Sequence, residues 1–389
     1  MTTKPEFRND ESEPAAAQRG GTATKTDRGR PQPTAMSGAE NIFVHGLGAV
    51  SPAGWGILPL REALAKGLPL PSNDLPRPGW NRPLRVRQVP PPPSRPAFSA
   101  HARLRRTSPI SQYAVAAALE ALGTDVARVG DGSIRLGIVL CVMNGCVNYS
   151  RRFYDEALKD PATASPLVFP ETVFNAPASH LAALLGTTAI NYTLVGDPGA
   201  FLQGLALAAD WLLNQRVEGC LVIGAEELDW LTADACRMFA RKVILSDGAG
   251  VLYLRSHPAA AQLQSVTGSH SFTRRQNRID AARKVRAELP GGCLDHLLCD
   301  GTQKLGRADE AEEAAWRDWP GDRLSPKLVL GEGLAAGSAW QCVAAIDALS
   351  RYAAATVSVV GCNQQAIGAH FVTSQCNPPM TSGAGPLEH

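Results

Sequence analysis

Short apolar runs alternate with longer apolar or amphipathic stretches from Asn41 to Phe371. "NIFVHGLGAVS" predicts a strand that ends in a glycine turn. "IRLGIVLCVMN" and "VEGCLVIGAEEL" predict buried strands, and "AGVLYLRS" another strand of the same half. "SPISQYAVAAALEALG" predicts a helix stopped by Gly123, and "APASHLAALLG" one capped by Gly186. In the second half, "CLDHLLCDGT", "PKLVLGEG", "ATVSVVGC" and "GAHFVTS" predict strands, while "ADEAEEAAWRDW" and "GSAWQCVAAIDALSRY" predict helices. Continuous apolar strands alternating with helices indicate an α/β protein with both sheet faces covered.

The stretch "INYTLVGDPGAFLQGLALAADWLL" (Ile190–Leu213) carries the sharpest transition. Alternation over Ile190–Val195 is β-like, and Gly196-Asp197-Pro198-Gly199 breaks it. The residues that follow are apolar nearly all round, which predicts a buried helix with Asp197 as N-cap and Pro198 as its first residue. Many enzymes place a nucleophile at such an elbow, because the helix N-terminus stabilises negative charge. This elbow offers a proline. The second half echoes the plan in "KLVLGEGLAAGSAWQCVAAIDAL": a strand, Gly plus an acid (Glu332 in place of Asp197), small residues, then an apolar helix. The echo predicts a duplicated βαβ architecture.

Composition changes this picture little. The 389 residues allow a large core, and the formal net charge of +2 gives no case for nucleic acid. Arginine is concentrated in Arg77–Arg106, a Pro-rich segment that reads as a solvated loop or as a docking rim for an acidic partner. The nine cysteines include no CxxC pair and no Cys/His metal spacing, so buried free thiols in a reducing cytoplasm are expected, with no metal and no cofactor. No signal peptide or membrane-length apolar run is visible, and no membrane partner is expected. Residues 1–40 read as a disordered extension. Residues 373–389 read as a disordered tail ending in a vector-like Leu-Glu-His.

Taken in order, "VHGLGAVSPAGWG", "RLRRTSPISQYAVAAALEAL", "FPETVFNAPASHLAALLGTTAINYTLVG", "LLCDGTQKLGRADEAEEAA", "SPKLVLGEGLAAGSA" and "VSVVGCNQQAIGAHF" resemble the β-ketoacyl-acyl carrier protein synthases. The resemblance implies a thiolase-like α/β fold, two similar βαβαβαββ halves (41–255 and 256–372) in a five-layer αβαβα sandwich, usually a dimer that pairs across Asn191–Val195. It also implies a Cys nucleophile at the elbow, two histidines and a supporting lysine. Here the Cys position falls on Pro198, the first His on Asp300 in "CDGT", and the second on Glu332 in "KLVLGEG"; Lys327 survives. The Gly-rich gate reads "GCNQQ", which puts Cys362 and Asn363 at the substrate-facing position.

Proline has no nucleophilic atom, and ionised acids repel the enolate that the histidines would stabilise. Decarboxylative condensation by the usual route is therefore expected to be absent. The resemblance leads to a chain-length-factor-like or scaffold subunit of fatty acid or polyketide (polyene-type) biosynthesis. Its expected partners are acyl carrier protein and a Cys-containing ketosynthase or a second copy of itself. The alternative is different chemistry on acyl thioesters, with Asp300 and Glu332 as a carboxylate pair of split pKa beside Lys327 and with Asp197 as a further acid. Otherwise Asp300, Glu332 and Lys327 form a salt-bridged core, Asp197 is only a cap, Cys362 is a buried thiol, and His180 and His296 are structural.

Overall fold

In the computed structural model of the protein, residues 41–362 and 364–374 are described, save the side chains of Arg275, Gln276 and Ala308. The expectations for Asn363, for residues 1–40 and for residues 375–389 lie outside the described residues.

Ten strands form one continuous path. The first half supplies β1 (Ile42–Ser51), β2 (Leu136–Val142), β3 (Ile190–Val195), β4 (Gly219–Glu226) and β5 (Gly248–Arg255). The second supplies β6 (Ala261–Val266), β7 (His296–Cys299), β8 (Arg323–Leu324), β9 (Ala354–Val360) and β10 (Gln365–Thr373). Their order is β8-β7-β9-β10-β6-β1-β5-β4-β2-β3. Each half has the same internal order, with its third strand at the outer edge and its first at the junction. Each half also has the same directions: β2 runs parallel to β3 and β4 as β7 does to β8 and β9, and the remaining pairs are antiparallel. The halves join where β1 pairs antiparallel with β6, Ile42 opposite Leu263.

Helices α1 (Pro109–Leu122) and α2 (Ala176–Leu185) cover the outside of the first half. Helices α4 (Arg275–Glu288) and α5 (Glu310–Trp316) cover the outside of the second. Between the halves lie α3 (Ala200–Leu213) and α7 (Leu334–Asp347), which pack on strands of both. This is the five-layer sandwich, and the duplication read from the two acid-bearing elbows holds at the level of strand order. The central helices are apolar because sheet covers them on both sides. Leu334 through Ile346 are all buried, and Asp210 is the single exposed residue of α3.

One element differs from expectation. "PKLVL" is not a strand but helix α6 (Pro326–Leu330). An apolar run this short does not distinguish the two by periodicity. Pro326 is preorganised for a first helical turn, and Gly331 N–H closes on Lys327 O at 2.9 Å. Gly331, at φ +92°, then turns the chain toward α7.

Candidate functional site

The elbow follows β3, and Gly196 N–H ties it to Val142 O of β2 at 3.1 Å. The α3 helix proper begins at Ala200, after the turn Asp197–Gly199. Gly199, not Asp197, is the N-cap, and Pro198 precedes the helix instead of opening it; Asp197 supports the turn, its Oδ1 accepting Gly199 N–H at 3.1 Å and its backbone carbonyl accepting Ala200 N–H at 2.8 Å. Its role is wider than the cap read from sequence. Oδ2 accepts the backbone N–H groups of Gln364 (3.1 Å) and Gln365 (3.2 Å), and Oδ1 also accepts Gln365 Nε2 at 3.3 Å. The approach requires Gly361, where a Cβ would lie 1.8 Å from Asp197 Oδ2. Asp197 is 1% exposed and Pro198 is buried. One donor at the helix start, Gly199 N–H, is thus already bound to a carboxylate, and Pro198 beside it has no reactive atom.

Of the three second-half positions, Lys327 and Glu332 pair with each other, while Asp300 is held by a separate set of partners. Asp300 is fully buried and saturated. Oδ2 accepts Arg323 Nε (2.9 Å) and Nη2 (2.6 Å), while Oδ1 accepts Thr302 N–H, Thr302 Oγ1 and Ser325 Oγ at 2.6–3.0 Å. Glu332 Oε2 accepts Lys327 Nζ at 3.0 Å. Its Oε1 accepts Leu334 N–H at 2.9 Å, which holds Leu334 at φ +51°. That backbone conformation costs an ordinary residue about 1 kcal/mol. Glu332 thus repeats the act of Asp197, accepting the N–H two residues on at the start of a central helix. Burial works against the charge of Lys327, yet Glu332 and Glu312 hold its pKa above the ordinary lysine value.

Glu312 and Arg323 were not anticipated. Glu312 Oε2 accepts Gly301 N–H at 2.9 Å, and its carboxyl faces Asp300 and Lys327. Burial, reinforced by Asp300, pushes its pKa up to about 8. The sequence did carry a signal: Ala311, Glu312, Ala315 and Trp316 form the buried stripe of α5, so an acid stands within an apolar face. Arg323 gave no such sign.

Two open, arginine-rimmed depressions lie elsewhere. One of about 350 Å3 is lined by Arg82, Arg85, Arg237, Arg241 and Lys242 among others, and one of about 560 Å3 by Arg95 and Arg105 with Pro96, Ala97 and Ala100. Cys362 is exposed rather than buried. Desolvation of its sulfur, with Glu332 and Asp197, pushes the thiol up to about 11, away from nucleophilic use. His180 bonds Glu171 at 2.9 Å and His296 bonds Thr356 Oγ1 at 2.9 Å. Among the described residues no group of acids, histidines and cysteines is arranged to hold a metal ion, and no helix is long and apolar enough to cross a membrane.

The raised pKa of Glu312 sets a pH dependence. Its folded value lies above the ordinary 4.5, so its stabilising form is the protonated one. That contribution is complete below pH 4.5 and is lost as pH rises to about 8. Glu312→Gln keeps the bond to Gly301 and cannot ionise. It should reduce the fall in melting temperature across this window; an unchanged slope would refute the assignment.

No protein-family model matches the chain, and no curated protein matches its sequence. Solved structures do match its fold. A β-ketoacyl synthase from Burkholderia phymatum STM815 superposes with a TM-score of 0.71 at 16% identity, over 86% of this chain and 100% of that one. A type II polyketide synthase acyl-carrier protein in complex with its ketosynthase, bound to the hexaketide, gives 0.69 at 17%, over 86% and 99%. A ketosynthase in complex with its chain length factor, from Xenorhabdus doucetiae, gives 0.68 at 14%, over 86% and 98%. The chain has the thiolase-like fold of the ketosynthases and their chain-length factors.

Proposed function

We propose that this protein is a ketosynthase-like subunit without Cys-based condensing activity, a pseudoenzyme that works as a chain-length-factor-like or scaffold partner for acyl chains on acyl carrier protein. The observation that carries the reading is the elbow. Pro198 stands at the nucleophile position, and Asp197 takes the Gly199 N–H at the helix start while tying down Gln364 and Gln365. The acids at the histidine positions are committed to Arg323 and Lys327. This favours a structural role over acid–base turnover of thioesters by Asp300 and Glu332.

Two surfaces support the partners. The cavities rimmed by Arg82, Arg85, Arg237, Arg241 and Lys242 and by Arg95 and Arg105 suit an acidic carrier protein. The edge strand β3 turns Ile190, Tyr192 and Val195 outward at 40%, 53% and 56% exposure, a pairing edge for a ketosynthase or a second copy. Co-expression with a Cys-containing type II ketosynthase tests the reading. A complex should survive size exclusion and weaken on Tyr192→Asp. A chain that stays monomeric, alone and beside the ketosynthase, would exclude the subunit reading.

A further inference from the structure

The basic segment between Val89 and Ser108 is fastened at both ends to buried acids that the elbow does not use. Val89 N–H donates to Asp247 Oδ1 at 2.7 Å. At the other end, Ser108 Oγ and Ile110 N–H donate to Glu227 Oε2, the latter at 3.1 Å. Glu227 Oε1 accepts Asn148 N–H at 2.7 Å, so one carboxylate sits at the starts of two helices, α1 and the helix Val147–Lys159. Its neighbour Glu226 accepts Met143 N–H at 2.5 Å and Asn144 N–H at 3.1 Å. Asp247 Oδ2 accepts the Tyr113 hydroxyl at 3.3 Å. Glu226 and Glu227 are each 1% exposed and Asp247 is 5% exposed. Every one of these donors is neutral.

The groups facing the cluster do not relieve it. Tyr113 comes from α1, Cys146 and Tyr149 from the start of the Val147–Lys159 helix, and Glu171 from the preceding turn of α2, where His180 binds it. Arg151, the nearby cation on the Val147–Lys159 helix, is committed to Asp229 and Asp155. Three carboxylates in one buried place without a cation cannot all ionise at ordinary cost.

We propose that Asp247 and Glu227, crowded by Glu226, form a proton-held clamp, which fastens both ends of the basic segment while the cluster keeps its protons and frees them as the protons leave. Burial pushes Glu226 up to about 8 and Asp247 up to about 7, and raises Glu227. Raised acids favour the closed form at low pH, so opening grows as pH rises toward those values and levels off beyond them. Arg95, Arg103, Arg105 and Arg106 lie on this segment. A link between clamp and carrier docking rests on the reading above; the clamp itself is tested without a carrier.

Hydrogen exchange of the intact protein from about pH 5 to about pH 9, corrected for intrinsic rates, measures the opening. Amides of residues 89, 108 and 110 should open up to about tenfold more per pH unit, one proton lost per opening. At residue 89 the rise should flatten above about pH 7, where Asp247 has ionised. Amides of β2 serve as the internal reference and should not follow. Asp247→Asn should make the rise at residue 89 shallower. A flat profile in the wild type, a rise shared equally by β2, or an undiminished slope in Asp247→Asn would each overturn the clamp. If Asp247→Asn does not fold, the wild-type comparison with β2 decides alone.

Discussion

Asp197→Ala is expected to destabilise the protein by about 4 kcal/mol, the largest effect of any single change at the elbow. The side chain accepts four hydrogen bonds, three of them from Gln364 and Gln365, more than 160 positions away, and one from Gly199 at the helix start. Alanine leaves the amides of Gly199 and Gln365 buried without an acceptor and frees that of the exposed Gln364, and each buried orphaned donor costs about 1–3 kcal/mol. Alanine also opens a gap against Gly361. Denaturant unfolding reads the total, and exchange at Gln364 and Gln365 reads the local release. Asp197→Asn keeps one carbonyl oxygen and should fall between the two. A loss below about 1 kcal/mol for the alanine variant would show that the carboxylate is only a surface-like cap.

Lys327→Met is expected to cost about 3 kcal/mol. Lys327 is 4% exposed and pairs with Glu332 at 3.0 Å while facing Glu312. Removing it leaves the Glu332 carboxylate, with only 14% of its side chain exposed, without a cation. The double variant Lys327→Met with Glu332→Gln should recover most of the loss, because the remaining amide still accepts Leu334 N–H and carries no charge. If the double variant is as unstable as the sum of the two single changes, the pair is not the source of the cost.

The parts legible in the sequence were those fixed by local pattern. Buried strands such as Leu136–Val142 and Gly219–Glu226 are continuous apolar runs, and Gly123 and Gly186 end their helices where read. The two acid-bearing elbows were visible because each repeats a local order of residues. What stayed hidden depends on distance in the chain. Nothing near Asp197 reveals that its partners are Gln364 and Gln365, and nothing near Asp300 points to Arg323. Helix α6 was misread because its apolar run is too short for periodicity to speak. Glu312 was missed because its charge was weighed without its place in the apolar stripe of α5.

The central claim is that this fold carries an elbow unable to hold an acyl group. Intact-mass analysis after incubation with acyl-acyl carrier protein or acyl-CoA tests it most directly, on the wild type and on Pro198→Cys. The wild type should show no acyl adduct. The variant should give no condensation product, because in the proposed reading Asp300 and Glu332 take the positions where the enolate needs neutral or cationic partners. An acyl adduct on the wild type, mapped to Cys362, or condensation by Pro198→Cys alone, would contradict the account.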